Sequence, residues 1–251
     1  MNLLTVVLLL PLVGFLVTLA VPRSSEGFSR CWAMGVSLAA FVVSVWLPFR
    51  FGSGRAWDRF TVDVPWIATP EIHFHIAADG VSLWLVLLST LLTPLCVLIS
   101  WRSIRSRVKE FYAFLLLLEF GLVGVFIAQD LFLFYVFWEI SLVPMYFLIG
   151  IWGHERRIYA AVKFFLYTMA GSVLMLAAII YIYNRTQTFS YPALVDMLST
   201  GRLAFSPFEE MLLFLAFFVG SPSRCRCFHC TPGCRMRTWK RPRLARSCWP
   251  A

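Results

Sequence analysis

Residues 130 to 150 read DLFLFYVFWEISLVPMYFLIG, and the fold turns on this stretch. As a helix rising about 1.5 Å per residue it is about 30 Å long, enough to cross the hydrocarbon core of a bilayer. It nevertheless places a carboxylate, Glu139, near its midpoint and a proline, Pro144, five residues later. A charged side chain at the bilayer centre costs about 2.5–3.5 kcal/mol on insertion scales, so it faces a hydrated or protein-lined interior and marks an ion or proton path. Pro144 has no N–H for the carbonyl of Ile140, which predicts a kink and a free acceptor one residue from Glu139. Glu139 is therefore a candidate proton-exchanging group. Phe137, Trp138 and Tyr146 around it are packing residues rather than a cofactor box.

Composition agrees with this reading across the whole chain. The 251 residues are 60% apolar and 17% aromatic and only 14% charged, and apolar runs of spanning length recur from end to end. A polytopic membrane protein follows, all-α in class. The net charge of +9 suggests nucleic acid at first sight, but residues 221–251 hold eight Arg or Lys and no acid, which leaves 14 basic against 13 acidic residues elsewhere. The body is nearly neutral, so no nucleic-acid partner is expected. Five of the seven cysteines also fall in that terminal segment, which excludes a disulfide framework in the body.

Taken in order, residues 3–21 form a first span with no basic residue before it, a retained helix rather than a secretory leader. A polar turn with Arg23, Glu26 and Arg30 precedes a second span over 31–49. Residues 50–80 are mixed, and pieces such as IHFHI predict an exposed two-stranded hairpin on which His73 and His75 are solvated strand residues rather than metal ligands. A third span runs over 81–101, with Asp79 and Ser82 as capping residues. A fourth over 111–128 carries Glu119, and only Gln129 and Asp130 separate it from the fifth, so those two helices must pack together. A sixth span, 159–183, has Lys163 a turn inside its start; a polar stretch over 184–206 and a seventh, truncated span from about 208 to 220 follow. The short loops after spans one, three and five carry eight basic residues, which puts them in the cytoplasm and the N-terminus outside.

DLFLFYVFWEISLVPMYFLIGIWG, then RRIYAAVKFFLYTMAGSVLML, with FHIAADGVSLWLVLL upstream, closely resembles the antiporter-like subunit M (chain 4) family of proton-pumping NADH:quinone oxidoreductase, over residues 1–220. The resemblance implies the N-terminal part of a fourteen-helix fold with two inverted five-helix repeats. Residues 1–110 would be three spans with an outer loop at 50–80, and residues 111–220 an incomplete first repeat. On matching residues, Glu139 stands for the family's essential membrane glutamate. Lys163 stands for the lysine of its AAxKFF segment, with a secondary part in proton transfer or a snorkelling role as equal readings. Glu119 is a structural carboxyl or a minor transport group. The resemblance further implies a multi-pass protein of the bacterial inner membrane, partnered by other membrane subunits of the complex, with quinone and NADH reached only through them. No cofactor or metal is expected on this chain. The same module serves multisubunit sodium/proton antiporters and membrane-bound hydrogenases, and these remain alternatives.

After Gly220 the likeness ends. The family continues with a segment like FAIKVPLFPLHTWLPDAH, while this chain reads SPSRCRCFHCTPGCRMRTWKRPRLARSCWPA. Codons TTC GCC ATC AAG GTG CCG read one base late give Ser Pro Ser Arg Cys Arg, which is Ser221 to Arg226, and all 31 tail residues can be produced by the same shift. Residues 221–251 are accordingly expected to be a frameshift product, disordered, basic and Cys-rich. The family's buried lysine would fall at position 224, where Arg224 now follows Pro222, and arginine cannot release its proton. The chain as written is thus expected not to pump. A rival of another class is a non-transporting scaffold whose Cys225, Cys227, Cys230, Cys234 and His229 bind a metal.

Overall fold

The computed structural model describes residues 2–22, 26–51, 61–67, 72–153, 156–203 and 205–220. The tail expected to be a frameshift product, with its cysteines and Arg224, lies outside these. Helices α1 (Leu3–Ala20) and α2 (Glu26–Phe51) lead into a hairpin of β1 (Val62–Ile67) and β2 (Ile72–Ile76). Helices α3 (Gly80–Ser103), α4 (Val108–Ile127), α5 (Leu131–Trp152) and α6 (Arg157–Thr186) follow, then a short α7 (Tyr191–Ser199) and α8 (Pro207–Gly220). Six of these, α1 to α6, are long and apolar enough to cross a membrane. They form the all-α, multi-pass core expected from the sequence. Large apolar side chains stay exposed along them, as at Trp46 and Ile99, which suits lipid rather than water as their surroundings.

The boundaries differ from expectation in a few places. Glu26 and Arg30 belong to α2 and not to the turn before it, since a helix with an acid in its first turn is favoured by its own dipole. Asp79 takes the N-cap position of α3, but its side chain makes no capping bond there. Helix α5 runs without a break through the buried Pro144. Helix α7 occupies part of the stretch read as merely polar; its apolar anchor is the buried Leu194.

Small residues set the helix spacing. A Cβ at Gly14 would meet Val36 at 2.6 Å and Leu116 at 3.3 Å, which brings α1 close to both α2 and α4. Gly121 and Gly124 do the same between α4 and α5, against Ser141 and Phe137. Without a hydrophobic force between helices in lipid, such close approach and cross-helix hydrogen bonds hold a bundle together. One such bond joins the buried hydroxyls of Ser44 on α2 and Thr90 on α3, 2.7 Å apart.

The tight α4–α5 link predicted from Gln129 and Asp130 turns out to act as a strand. It bridges β2 through Ala77 N–H to Ile127 O (2.9 Å) and Gln129 N–H to His75 O (2.9 Å). On its other side, Leu131 N–H donates to Phe189 O (3.0 Å) and Tyr191 N–H to Gln129 O (2.9 Å). The antiparallel hairpin and the segments around 128 and 190 thus pair edge to edge across one end of the bundle. Asp130 fixes this end as well: its carboxylate accepts from Phe132 N–H (2.9 Å) and Leu133 N–H (3.1 Å), capping α5.

Candidate functional site

Helical geometry decides where Glu139 points. On α5, Phe137 and Ser141 face α4, because they fill the gaps above Gly124 and Gly121. At about 100° per residue, Glu139 lies on the opposite side of the helix, in line with Tyr135, Tyr146 and Gly150. That line faces α6: the Tyr146 ring lies 5.5 Å from that of Phe165, and a Cβ at Gly150 would touch Ala161 at 3.5 Å. Glu139 therefore projects toward the α5–α6 seam. It is half-buried, and its Oε1 is buried with no hydrogen-bond partner.

Depth along the pair follows from helical rise. Counted from the turn at 152–157, Glu139 lies about 20 Å up α5, and Thr168, Gly171 and Ser172 lie about 17 to 23 Å up α6. Thr168 and Ser172 are buried on the α6 face. The Tyr135 side chain, one turn from Glu139, lies near Ser172 and within electrostatic reach of the Glu139 carboxylate. A carboxyl and two hydroxyls from α5 and α6, with a third hydroxyl, Thr168, thus lie at the same depth along the seam.

The other sequence candidates lie elsewhere. Lys163 sits only about 9 Å up α6 and points about 140° away from the Thr168 face. Its exposed side chain passes 6.0 Å from the Tyr159 ring. The structure does not turn it toward Glu139. Glu119 is 1% exposed, and neither carboxyl oxygen has a hydrogen-bond partner. It lies on the Tyr112–Leu116–Val123 side of α4, facing α1 and α2 and away from α5, so the two glutamates do not share a site.

Sequence reasoning missed Tyr135 and Ser172. The four-residue spacing of Tyr135 and Glu139 could have flagged the first, but nothing local marks Ser172 among the other hydroxyls of α6. At the hairpin end, His73 Nδ1 lies 2.7 Å from Asp63 Oδ1 and the His73 backbone N–H binds Asp130, so His73 is a pairing residue rather than a freely solvated one. Burial pushes the Asp130 carboxyl up from its ordinary value, opposed by the N–H groups of Leu133, Phe132 and His73 and by the nearby His73 ring. Among the described residues no cluster of three His, Cys, Asp or Glu could hold a metal.

Helix α8 brings a further element to this layer. Its start is tied to α6 by Glu209, which accepts from Tyr181 (2.5 Å) and Arg185 (2.6 Å). Its last residue, Gly220, is buried so tightly that a Cβ there would lie 3.1 Å from the Gly171 carbonyl and 3.2 Å from Met175. Gly171 adjoins Ser172, so α8 ends in the layer that holds Glu139.

Residues 128–225 match the family model described as NADH:quinone oxidoreductase/Mrp antiporter, transmembrane. NADH-ubiquinone oxidoreductase chain 4 of Chondrus crispus is 38% identical over 212 residues, covering 84% of this chain and 42% of that protein. NADH-quinone oxidoreductase subunit M of Rhodobacter capsulatus is 38% identical over 230 residues, covering 87% and 44%. The chain thus spans less than half the length of these relatives. Among solved structures, a chain of respiratory complex I from Thermus thermophilus with bound NADH superposes with TM-score 0.71 at 27% identity, over 86% of this chain and 43% of that one. A chain of the Mrp complex from Dietzia shares the fold, with TM-score 0.71 at 17% identity over 88% and 23%.

Proposed function

We propose that this chain, whose residues 128–225 match the family model described as NADH:quinone oxidoreductase/Mrp antiporter, transmembrane, derives from a proton-translocating membrane subunit of NADH:quinone oxidoreductase. Glu139 is the proton-exchanging group. The observation that carries this reading is its placement: a carboxyl on the α6-facing side of α5, with one buried oxygen lacking a partner and hydroxyls at the same depth. A group so held can take up and release a proton without exposing charge to lipid. Electron transfer in partner subunits would supply the driving force, with quinone and NADH bound there.

Superposed on solved structures, the chain is 27% identical to the complex I chain and 17% identical to the Mrp chain, which favours this reading over sodium/proton antiport. Of the two roles open to Lys163, the outward direction of its side chain supports a snorkelling anchor at the basic end of α6. The basic ends of α3 and α5 lie in the cytoplasm of a bacterial inner membrane in this reading, with the hairpin outside. Because α8 reaches the Glu139 layer at Gly220, the residues after it determine whether the relay continues. As written they supply Pro222 and the fixed charge of Arg224, and the product does not pump. The nucleotide sequence at the Gly220 codon tests the frameshift directly.

For the transport role, the reading frame is restored and the chain assembled with its partner subunits in membrane vesicles. Glu139→Gln then abolishes quinone-dependent proton uptake while the complex still assembles. Full pumping by that variant would dispose of the role given to Glu139.

A further inference from the structure

A second buried carboxyl lies apart from the Glu139 seam. Glu119 is 1% exposed, and no donor reaches either of its oxygens. Two apolar clusters bracket it. Toward the turn at 104–107, Tyr112 and Leu116 of α4 pack with Ala33 of α2 and Val97 of α3. Toward the hairpin, Val123 and Ile127 pack with Val7 and Leu8 of α1, Leu47 of α2 and Val86 of α3. The residues between these clusters on each helix therefore share the depth of Glu119: Pro11 on α1, Ser37 and Ser44 on α2, and Thr90, Thr93 and Pro94 on α3, all of them buried.

This layer is rich in acceptors and poor in donors. Ser37 donates to the carbonyl of Met34 (3.1 Å) and Thr93 to that of Ser89 (3.2 Å). The protons of Ser44 and Thr90 stay within their mutual bond and the carbonyls of Phe41 (2.7 Å) and Val86 (3.0 Å). Ser89 Oγ and Tyr112 Oη are buried without partners, so neither is bonded to Glu119. Pro94 has no N–H for the carbonyl of Thr90, which leaves one more acceptor open on the buried face of α3. Pro11 does the same for the carbonyl of Val7 on α1.

Charged groups are kept out of the layer. Among the described side chains α1 carries no charge. Arg30, Arg102, Arg107 and Lys109 sit at the 104–107 end, where Arg30 donates to Ile104 O (3.1 Å) and Lys109 to Leu19 O (2.8 Å). Glu26 and Glu110 lie at that end too, Glu110 about 14 Å of helical rise from Glu119. Asp79 stands at the start of α3, by the hairpin. Glu139, Lys163 and Gly220 with whatever follows it lie beyond α5, on the side of α4 from which Glu119 turns away.

An ionised carboxylate in this layer would face oxygen lone pairs with neither donor nor cation beside it, whereas a carboxylic acid brings the donor that the layer lacks. We propose that Glu119 is a permanently neutral acid, a positioning residue whose O–H donates to the Thr90 carbonyl left open by Pro94 and so ties α4 to α3. Thr90 is favoured over Val7 by direction. Glu119 is turned about 60° around α4 from Leu116, which meets α1 at Gly14, and the turn is away from α5 and past α1. A proton so bound is not exchanged, and the inference is independent of the role given to Glu139.

Infrared spectra of the full 251-residue chain in lipid nanodiscs provide the test. A protonated-carboxyl band lost in Glu119→Gln belongs to Glu119, and it keeps its full intensity from about pH 5 to about pH 9, where an ordinary glutamate is ionised. Absence of such a band, or its decline within that range, overturns the proposal. Pro94→Ala supplies an N–H that competes for the Thr90 carbonyl, so the band shifts to higher frequency, while Pro11→Ala leaves it unmoved. No shift in Pro94→Ala, or an equal shift in Pro11→Ala, overturns the assigned bond. If Pro94→Ala loses its helical amide signature, thermal unfolding decides. Glu119→Gln, which keeps an N–H donor, then unfolds near the temperature of the unsubstituted chain and Glu119→Leu, which has none, unfolds below it; equal unfolding of these two variants overturns the proposal.

Discussion

Replacing Gly121 by alanine drives α4 away from α5, the helix that carries Glu139. A Cβ at position 121 would lie 2.9 Å from the Cβ of Ser141 and 3.1 Å from both its Cα and its backbone nitrogen. Carbon atoms rest at about 3.5–4.0 Å, so the two helices must part by about 0.5–1 Å. No rotamer change relieves the contact, because the obstructing atoms are backbone or attached directly to it. Overpacking of this kind costs about 1–3 kcal/mol, and alanine returns about 1 kcal/mol through helix propensity, leaving a net loss of about 0–2 kcal/mol and a deficit of about 1–3 kcal/mol against an unobstructed Gly→Ala change. Gly124→Ala meets a different obstacle, the Phe137 ring at 2.2 Å. Adding Phe137→Leu should therefore recover much of the stability lost in Gly124→Ala, whereas adding Ser141→Ala should recover none of that lost in Gly121→Ala. Gly35→Ala, with nothing within 4 Å of its new Cβ, serves as the unobstructed control that receives the same propensity gain. Thermal unfolding in nanodiscs, followed by circular dichroism, measures all five. Equal stability of Gly121→Ala and Gly35→Ala would show that the α4–α5 spacing is not set by these glycines.

Asp130→Asn keeps an N-cap acceptor for α5 but removes a carboxyl whose ionised form burial disfavours. Because burial raises the folded-state value above the unfolded one, the wild-type contribution is fully present below about pH 4 and is lost as pH rises through the raised value. The asparagine variant should lose that slope and equal or exceed wild type at pH 7; a slope unchanged in thermal scans between pH 4 and 7 would refute the assignment. Ser44→Ala, which removes the buried 2.7 Å link to Thr90, should cost about 0.6–2 kcal/mol in the same unfolding assay. With the frame restored, Glu139→Gln should lose proton uptake at normal assembly, read by vesicle acidification and native gels.

Much of the membrane body could be read in advance because bilayer thickness fixes the length of every apolar run. The two residues between the fourth and fifth spans foretold that α4 and α5 pack, and Glu139 announced itself by cost alone. What escaped was whatever depends on partners distant in sequence. The pairing of the 128–130 link with both β2 and the segment near Phe189 leaves no local mark, because backbone hydrogen bonds are the same whatever residues carry them. Helix α7 escaped for a related reason: a nine-residue helix with one buried anchor has too short a periodic pattern to stand out. The direction of Lys163 could not be read from the sequence, since the buried side of α6 is defined by its contacts with α5 and α8.

If the reading frame changes after Gly220 as proposed, the arrangement of α8 puts the consequence on the proposed transport role rather than on the body of the fold. The contacts described between α1 and α6 are made by residues up to 191: the glycine-lined approaches at 14, 121 and 124, the Ser44–Thr90 link and the pairing and packing of the segment at Phe189. Helix α8 adds the Glu209 tie to Tyr181 and Arg185 and the close approach of Gly220 to Gly171. Neither contact uses a residue beyond 220. On this arrangement the six-helix body is expected to form independently of the sequence that follows, while the proposed relay from the Glu139 layer would depend on it. Two measurements separate these consequences. The 251-residue chain and its frame-restored counterpart should share the unfolding behaviour of the six helices, and only the counterpart should carry proton flux when assembled. A chain whose six helices unfold together with loss of Gly220 packing, as in Gly220→Leu, would instead make α8 part of the body and remove the distinction.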